Sequence, residues 1–400
     1  MKNLAQRLRG VVPSPIAALS QAARDLRASG VDVIDLGVGE PDFDTPEHVK
    51  AATTEAMRRG ETKYTPINGG PALRKAIADK FQRENGLTYA LDEIAVSSGA
   101  KQIIFNAMMA TLDPGDEVIV PAPYWASYPD IIRFAGATPV VVAGSEEDGF
   151  ALRPDLLEKA ITKRTKWLFL NSPNNPSGAY LDREQLRAVA DVLLAHPDIW
   201  VLSDDIYEHL LFDGRRFATI AQVEPKLRER TVTMNGVSKT YAMTGWRLGY
   251  AGAPAEMIAA MSNVQSQCTT HASSLSQAGA LAALTGPQDF LTERVASLQE
   301  RRDLVVERIS AIDGLRCRKP EGAFYVFLDC RGIMGRKAPN GRIIENCSDA
   351  ALFLLESARV SVVPGSVFGT PGYLRLSTAT ARDQLTVACD RIAQACADLG

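Results

Sequence analysis

Between Met234 and Tyr250 the chain reads MNGVSKTYAMTGWRLGY, and three of its side chains are of types that do chemistry together. An apolar run ends at Met234, Asn235-Gly236 makes a turn, and Ser238, Lys239 and then Arg247 follow. A lysine on a turn just beyond a buried strand is placed to be desolvated. Desolvation lowers its pKa, and a neutral amine can attack a carbonyl and hold it as a Schiff base. Arg247 offers a planar fork suited to a phosphate. Together these parts would hold a carbonyl ligand bearing a phosphate, such as pyridoxal phosphate. Alone, the pattern is weak, since most Ser-Lys pairs followed by an arginine are surface residues, and the rest of the chain has to decide.

Other clusters point the same way. Asp204 and Tyr207 close the stretch IWVLSDDIYEHL. A carboxylate buried at a strand end needs a cationic partner, and a protonated pyridine nitrogen is one; a helix N-cap is the competing reading. Tyr207 would reach the phenolic oxygen of such a ring. Asn175, in the double-proline turn NSPNNPSG, would donate to the same oxygen, or the segment is simply a turn. Ser98-Gly99-Ala100-Lys101 opens a helix straight after a strand, where small residues let backbone N–H groups approach an anion. Trp125, beside Tyr124, either stacks on a flat ring or packs in the core. Arg375 falls in the middle of the strand-like YLRLSTA, where a charge is costly unless paired. A substrate carboxylate or a structural ion pair would supply that partner.

The elements that must position these residues are legible as an alternation. EIAVSS, DEVIVPAP, TPVVVA, WLFLNS, IWVLSDD, TVTMNG and RLGYAGA read as strands. GAKQIIFNAMMATL, YWASYPDIIRFAG and REQLRAVADVLLAHP read as helices between them. Continuous apolar strands alternating with helices predict a mostly parallel sheet covered on both faces, with ligands beyond the carboxyl ends of the strands. The polar clusters sit at those ends. Earlier, Val31–Leu36 reads as a short strand, and 46–59 and 70–85 as helices flanking a turn-rich loop that carries Tyr64. A long charged helix over about 287–312 leads to GAFYVFLD, a helix from about Ser348, RVSVVPG and YLRLSTA, a smaller α+β unit. The expected division is 1–45 with 291–400 as a small domain built from both chain ends, and 46–290 as the large domain. The loop RGIMGRKAPNGRIIENCSD reads as a solvated insertion, with a substrate lid as the alternative.

Bulk composition narrows the class. The 400 residues are 46% hydrophobic and 23% charged with a formal net charge of −3. No long basic tract suggests nucleic acid or an anionic membrane. The N-terminus lacks an apolar signal core, and no stretch approaches the roughly 18 apolar residues of a membrane span. The six cysteines form no CxxC pair and the four histidines no metal spacing, so reduced thiols, no metal and a cytoplasmic location are expected.

Taken as a set, the blocks GVGEPDFDTP, KYTPINGGPALR, NSPNNPSG, SDDIYEHL, SKTYAMTGWRLGY and EGAFYV resemble the fold-type I pyridoxal-phosphate enzymes. They are most similar to the class I aminotransferases of the bacterial aspartate and aspartate/prephenate type, almost end to end. The resemblance implies a seven-stranded, mostly parallel large-domain sheet and pyridoxal 5′-phosphate as cofactor. It implies ping-pong exchange between an L-amino acid, foremost L-aspartate, and an oxo acid such as 2-oxoglutarate. Lys239 would carry the cofactor and shuttle the proton, Asp204 would face the ring nitrogen, and Tyr207 and Asn175 the ring oxygen. Trp125 would stack on the ring. Gly99, Ala100, Lys101, Ser238 and Arg247 would surround the phosphate, with Tyr64 reaching the phosphate of a neighbouring subunit in a homodimer. Arg375 would take the substrate α-carboxylate beside the Gly39 backbone.

One segment departs from the pattern. Aspartate-type members carry a KPSAT-like stretch whose lysine and threonine recognise a dicarboxylate; here it reads Val12-Pro13-Ser14-Pro15-Ile16. Ser14 alone survives of its polar set, although Lys101, which can bind a distal carboxylate, is present. Two branched apolar side chains in place of a charge and a hydroxyl favour a less polar substrate, such as an aromatic or prephenate-like one. A lyase on the same fold would keep every cofactor residue and release ammonia. A non-catalytic cofactor-binding regulator would need a basic patch that is absent. A Schiff-base aldolase would have no use for Asp204, Tyr207 and Asn175 around one ring.

Overall fold

The computed structural model describes residues 5–8 and 15–400. Ser14 and Val12 lie outside the described residues.

Thirteen strands are present among the described residues, beginning with the short β1 (Ile34–Asp35). The central sheet contains β2 (Ile94–Ser97), β3 (Glu117–Ala122), β4 (Thr138–Ala143), β5 (Thr165–Asn171), β6 (Trp200–Asp204), β7 (Thr231–Gly236) and β8 (Gly249–Gly252). Their spatial order is β2-β8-β7-β6-β5-β3-β4. The pairs from β4 through β7 are parallel, and β8 runs antiparallel to both of its neighbours.

Both faces of the inner strands of this sheet are buried, and the period-2 alternation of a strand decides which side chain goes where. Val118, Val120, Trp167 and Phe169 pack into one core with Ile103 and Ile104 of helix Ala100–Thr111. Ile119, Leu168 and Leu170 point the other way, onto Leu186 and Val189 of helix Arg183–Leu194. That helix begins on a capping box: Asp182 accepts from the Gln185 amide at 2.8 Å, and the Gln185 side chain accepts from the Asp182 amide at 2.9 Å.

A second, antiparallel sheet has the order β12-β13-β10-β9. Its strands are β9 (Arg316–Cys317), β10 (Tyr325–Asp329), β12 (Val363–Pro364) and β13 (Tyr373–Ser377), while β11 (Val360–Ser361) pairs in parallel with β1. Ile34 and Leu36 share a core with Leu374, Leu376 and Leu385, so these early residues pack with the late chain. Helix Phe290–Ser310 runs into this unit and contributes Val305 and Ile309 to the same core.

Three local expectations change. The strand over 31–36 shrinks to Ile34–Asp35, because its partner β11 is only two residues long. The helix expected from Tyr124 starts at Tyr128. Pro123 precedes, and the Tyr124 amide is committed to the Phe368 carbonyl at 3.1 Å, which leaves Trp125 on a turn. The loop after Asp329 is not simply solvated: Ile333, Ala338 and Ile344 are buried in the small core, and none of its residues reaches the cavity described next.

Candidate active site

A cavity of about 460 Å³ opens beyond the carboxyl ends of the parallel strands. Ala100, Lys101, Trp125, Asn175, Asp204, Tyr207, Ser238, Lys239 and Arg247 line it, together with Gly39 and Arg375. Eleven of the residues singled out in the sequence therefore meet in one place.

An anion seat forms where β2 turns into helix Ala100–Thr111. Gly99 is the N-cap, with φ +91°, a conformation that L side chains rarely adopt. A Cβ there would lie 2.4 Å from Arg247 Nη2, so the guanidinium rests directly against the glycine. Gly249 of β8 is pressed as closely against Ala100, since its Cβ would fall 2.2 Å from the Ala100 nitrogen. Arg247 donates from Nη1 to the Thr244 carbonyl at 2.8 Å, which fixes the fork beside the unpaired N–H groups of the helix start.

Lys239 stands on the turn after β7, and its Nζ donates to the Gly39 carbonyl at 2.5 Å. Burial, reinforced by the neighbouring Arg375 charge, brings its pKa down to about 8. Across from it Asp204 ends β6. Burial raises its carboxyl to about 6, opposed by a hydrogen bond from the Tyr128 hydroxyl at 2.5 Å. Asn171 holds the same strand end, donating to the Asp204 carbonyl at 3.0 Å and accepting the Asn175 amide at 2.9 Å. Tyr207 and Tyr325 share a hydrogen bond between hydroxyls at 2.9 Å, and burial holds the Tyr207 hydroxyl far above its ordinary range.

Arg375 of β13 is 4% exposed and sits between two aromatic rings, its guanidinium carbon 4.7 Å from the Tyr325 centroid and 5.0 Å from that of Phe368. It donates to Asn175 Oδ1 at 2.9 Å and to the Gly37 carbonyl at 2.6 Å, and its buried Nε has no partner among the described residues. Neither bond is to a carboxylate, so the structural ion pair considered for it is absent. Lys101 lies over the Trp125 ring at 4.8 Å, its pKa lowered by burial and then by Arg247.

Tyr64 is not brought to this cavity. It is 92% exposed, its ring edge-on to His271 at 5.6 Å. Residues that sequence reasoning passed over include Tyr128, Tyr325, Asn171, Glu40 and the apolar Val38 and Ile104. Tyr128 carried a signal, a tyrosine in an otherwise apolar helix face, but its partner across the sheet was not visible. Elsewhere, Glu84, Glu208 and His209 gather closely enough for a metal ion. The ammonium of buried Lys80 already occupies that cluster, paired with Glu208 and 3.5 Å from Glu84.

Asp205, beside Asp204, gives a stability prediction. Burial lifts its carboxyl to about 7, opposed by the Ser203 and Thr219 hydroxyls, and its Oδ2 has no partner among the described residues. The unfolded chain releases this proton near pH 4. The folded protein therefore loses stability as pH rises from about 4 to about 7, and the full penalty is present above 7. Asp205→Asn removes that penalty. Its melting temperature relative to the parent is expected to improve by roughly 3–6 °C between pH 5 and pH 8. A difference that does not change with pH would contradict the assignment.

Comparison with known proteins places the geometry in a lineage. The chain is 56% identical over 392 residues to an aspartate aminotransferase of Rhizobium meliloti, covering 98% of this chain and 96% of that protein. It is 51% identical over 399 residues to an aspartate/prephenate aminotransferase of Cereibacter sphaeroides, covering both chains completely. The crystal structure of the Rhizobium meliloti aspartate aminotransferase superposes with a TM-score of 0.97 over the whole of both chains at 56% identity. The aspartate aminotransferase of Thermus thermophilus solved with maleate gives 0.92 at 45% identity, over 99% of this chain and all of that one. The family described as aminotransferase class I and II matches residues 31–392. With nine-tenths of its length matched to that family and a relative identical at more than half its positions, this chain belongs to the class I and II aminotransferases.

Proposed function

We propose that this aminotransferase carries pyridoxal 5′-phosphate and moves the α-amino group of L-aspartate to 2-oxoglutarate or a similar oxo acid in ping-pong fashion. The observation that carries this reading is the meeting of an amine near neutrality, a buried carboxyl and a carboxylate-ready arginine around one cavity. The residues fit the cofactor. The Gly99 and Gly249 contacts leave a cradle with no room for a side chain, next to Arg247 and a helix N-terminus, as a phosphate requires. Asp204, raised by burial, gains a cationic partner if it faces a pyridinium N–H.

When bound, pyridoxal phosphate supplies an electron sink for the pair released when the substrate Cα–H bond breaks. The chain does the rest. Ala100, Ser238 and Arg247 hold the phosphate, Trp125 covers the ring, and Asp204 keeps the ring nitrogen protonated. Because Asn175 Oδ1 is committed to Arg375, its Nδ2 is the end that would donate to the ring oxygen, as would the Tyr207 hydroxyl. Arg375 grips the α-carboxylate with its fork, its orphaned Nε included, and so aims Cα at the amine. Lys239 Nζ takes the proton from Cα and returns it one position away. Lys101 takes the distal carboxylate. Tyr64 serves the neighbouring subunit of a homodimer, which suits its exposure on its own chain. The site lies in a cytoplasmic enzyme of small-molecule metabolism; among the described residues no helix is long and apolar enough to cross a membrane.

A less polar substrate is the second reading, supported by Val38, which lines the cavity and is 45% exposed, and by Ile104 deeper in. The first test is the visible spectrum of the loaded protein before and after L-aspartate without any oxo acid. Conversion of the yellow band is expected; a yellow protein indifferent to aspartate refutes the donor and keeps the cofactor. Production of pyruvate and ammonia instead would move the protein to the lyases. In Lys101→Ala, the ratio of kcat/KM for aspartate over phenylalanine is expected to fall about 10- to 100-fold, the value of one charge-assisted hydrogen bond. An unchanged ratio removes that lysine from substrate recognition.

A further inference from the structure

The reaction just described leaves unused a row of buried side-chain amides beneath the loop that carries Tyr64. Gln277, on helix Ser274–Thr285, is 5% exposed, and two of its three side-chain hydrogen bonds serve that loop. Its Oε1 accepts the Gly70 amide at 2.8 Å. Its Nε2 donates to Thr65 Oγ1 and to the Ala272 carbonyl, both at 2.8 Å. His271 covers the other flank. Its Nδ1 faces the Ala272 carbonyl at 2.7 Å and must donate there, which makes Nε2 the acceptor of the Thr65 amide at 3.4 Å. The same ring meets Tyr64 edge-on. Deeper down, Gln265, 2% exposed, donates to the carbonyls of Ile67 and Val96 at 2.8 and 2.9 Å.

Loops at a protein surface normally leave their backbone groups to water. Here a stretch between two helices is pinned at Thr65, Ile67 and Gly70 by buried amides, and its most protruding side chain touches little of its own chain. What these bonds fix is therefore the pose of the loop's tip. The segment that holds the tip also reaches the phosphate seat of its own subunit: Gln102 donates to Thr269 Oγ1 at 2.6 Å and accepts the Ser98 amide at 2.8 Å.

We propose that Gln277, seconded by His271, is a positioning residue that acts across the subunit boundary, holding Tyr64 where it reaches the phosphate in the neighbouring site. This rests on the placement of Tyr64 proposed above. A substitution at Gln277 then weakens cofactor retention in the partner's site and leaves its own untouched.

Mixed dimers test this. Lys239→Ala in one chain leaves a single site able to bind the cofactor covalently, and borohydride reduction of samples taken during release counts the cofactor still held as a Schiff base at that site alone. In one arrangement Gln277→Met sits in the chain with the intact lysine; in the other it sits in the Lys239→Ala chain. Cofactor release into a scavenger is expected to be about tenfold faster in the second arrangement and unchanged in the first, relative to dimers without the Gln277 change. Equal release in the two arrangements, faster release only in the first, or no change in either overturns the proposal. If Gln277→Met does not assemble, Gln277→Glu takes its place with the same expectation, since it keeps the contact to Gly70 and loses both donations. Tyr64→Phe, placed in the same two ways, separates the layers. If it has no effect in trans, the placement of Tyr64 falls. If it acts in trans while Gln277→Met is silent, only the positioning role falls.

Discussion

Lys239→Ala is expected to lower kcat about 10⁴-fold or more while the protein still takes up pyridoxal phosphate. The reason lies in what else could accept a proton in that cavity. Burial holds the Tyr207 and Tyr325 hydroxyls above their ordinary range, and Asp204 accepts the Tyr128 hydroxyl. The guanidinium of Arg375 has no proton to exchange at working pH. Of the remaining groups in the lining, Lys101 lies over the Trp125 ring and Glu40 accepts the Thr244 hydroxyl, so neither stands where Lys239 does, whereas the phosphate seat at Gly99, Ala100 and Arg247 is untouched. Rapid mixing of the loaded variant with L-aspartate checks this through the rate at which the visible band changes. Retention of more than about a hundredth of the parent rate would show that another base does the work. The lowered pKa has its own signature. Capture of cofactor by the unloaded protein needs the neutral amine, so its rate is expected to rise with pH through about 8 and level off beyond. An ordinary lysine would keep rising toward pH 10.

Replacing Arg375 by leucine is expected to cost about 10²- to 10⁴-fold in kcat/KM, equally for every amino acid tested. The loss has two parts. The bidentate grip on the α-carboxylate goes, and the Asn175 Oδ1 and Gly37 carbonyl that the guanidinium satisfies are left buried without a donor. Lysine is a poor substitute because it cannot span both acceptors in one plane between the Tyr325 and Phe368 rings. The measurement is a pair of kcat/KM values, for aspartate and for phenylalanine. Equal falls are expected, in contrast to Lys101→Ala, which separates the two. A fall for aspartate alone would mean that Arg375 reads the side chain and not the α-carboxylate.

Much of this site was legible in the chain because parallel strands announce themselves as apolar runs, and their polar ends mark one edge of the sheet. Asp204, Lys239 and Asn175 follow such runs directly, so the sheet brings them together without further information. Arg375 was legible for a different reason: a charge inside a strand pattern demands a partner. Tyr128 and Tyr325 were not, since a buried tyrosine looks like core until its hydroxyl partner is known, and those partners are 76 and 118 residues away. Trp125 was placed on a helix although it lies on a turn, because the bond from the Tyr124 amide to Phe368 joins segments that no local pattern connects. The amides under Tyr64 were invisible on the same ground, since Gln277 meets Thr65 and Gly70 only after three helices have packed.

The reversal of β8 has a consequence for how such a site can arise. In a parallel pair, the chain leaving the carboxyl end of one strand must travel to the far edge of the sheet before the next can begin. Because β8 runs back along β7, the connection between them leaves and returns at the same edge. Amine, hydroxyl and anion clamp are thus carried by one short excursion between Gly236 and Gly249. Its closure is local, so this half of the reactive apparatus can form early in folding, before distant segments dock. It is also a contiguous piece of the sequence, so three functional groups share one connection rather than three.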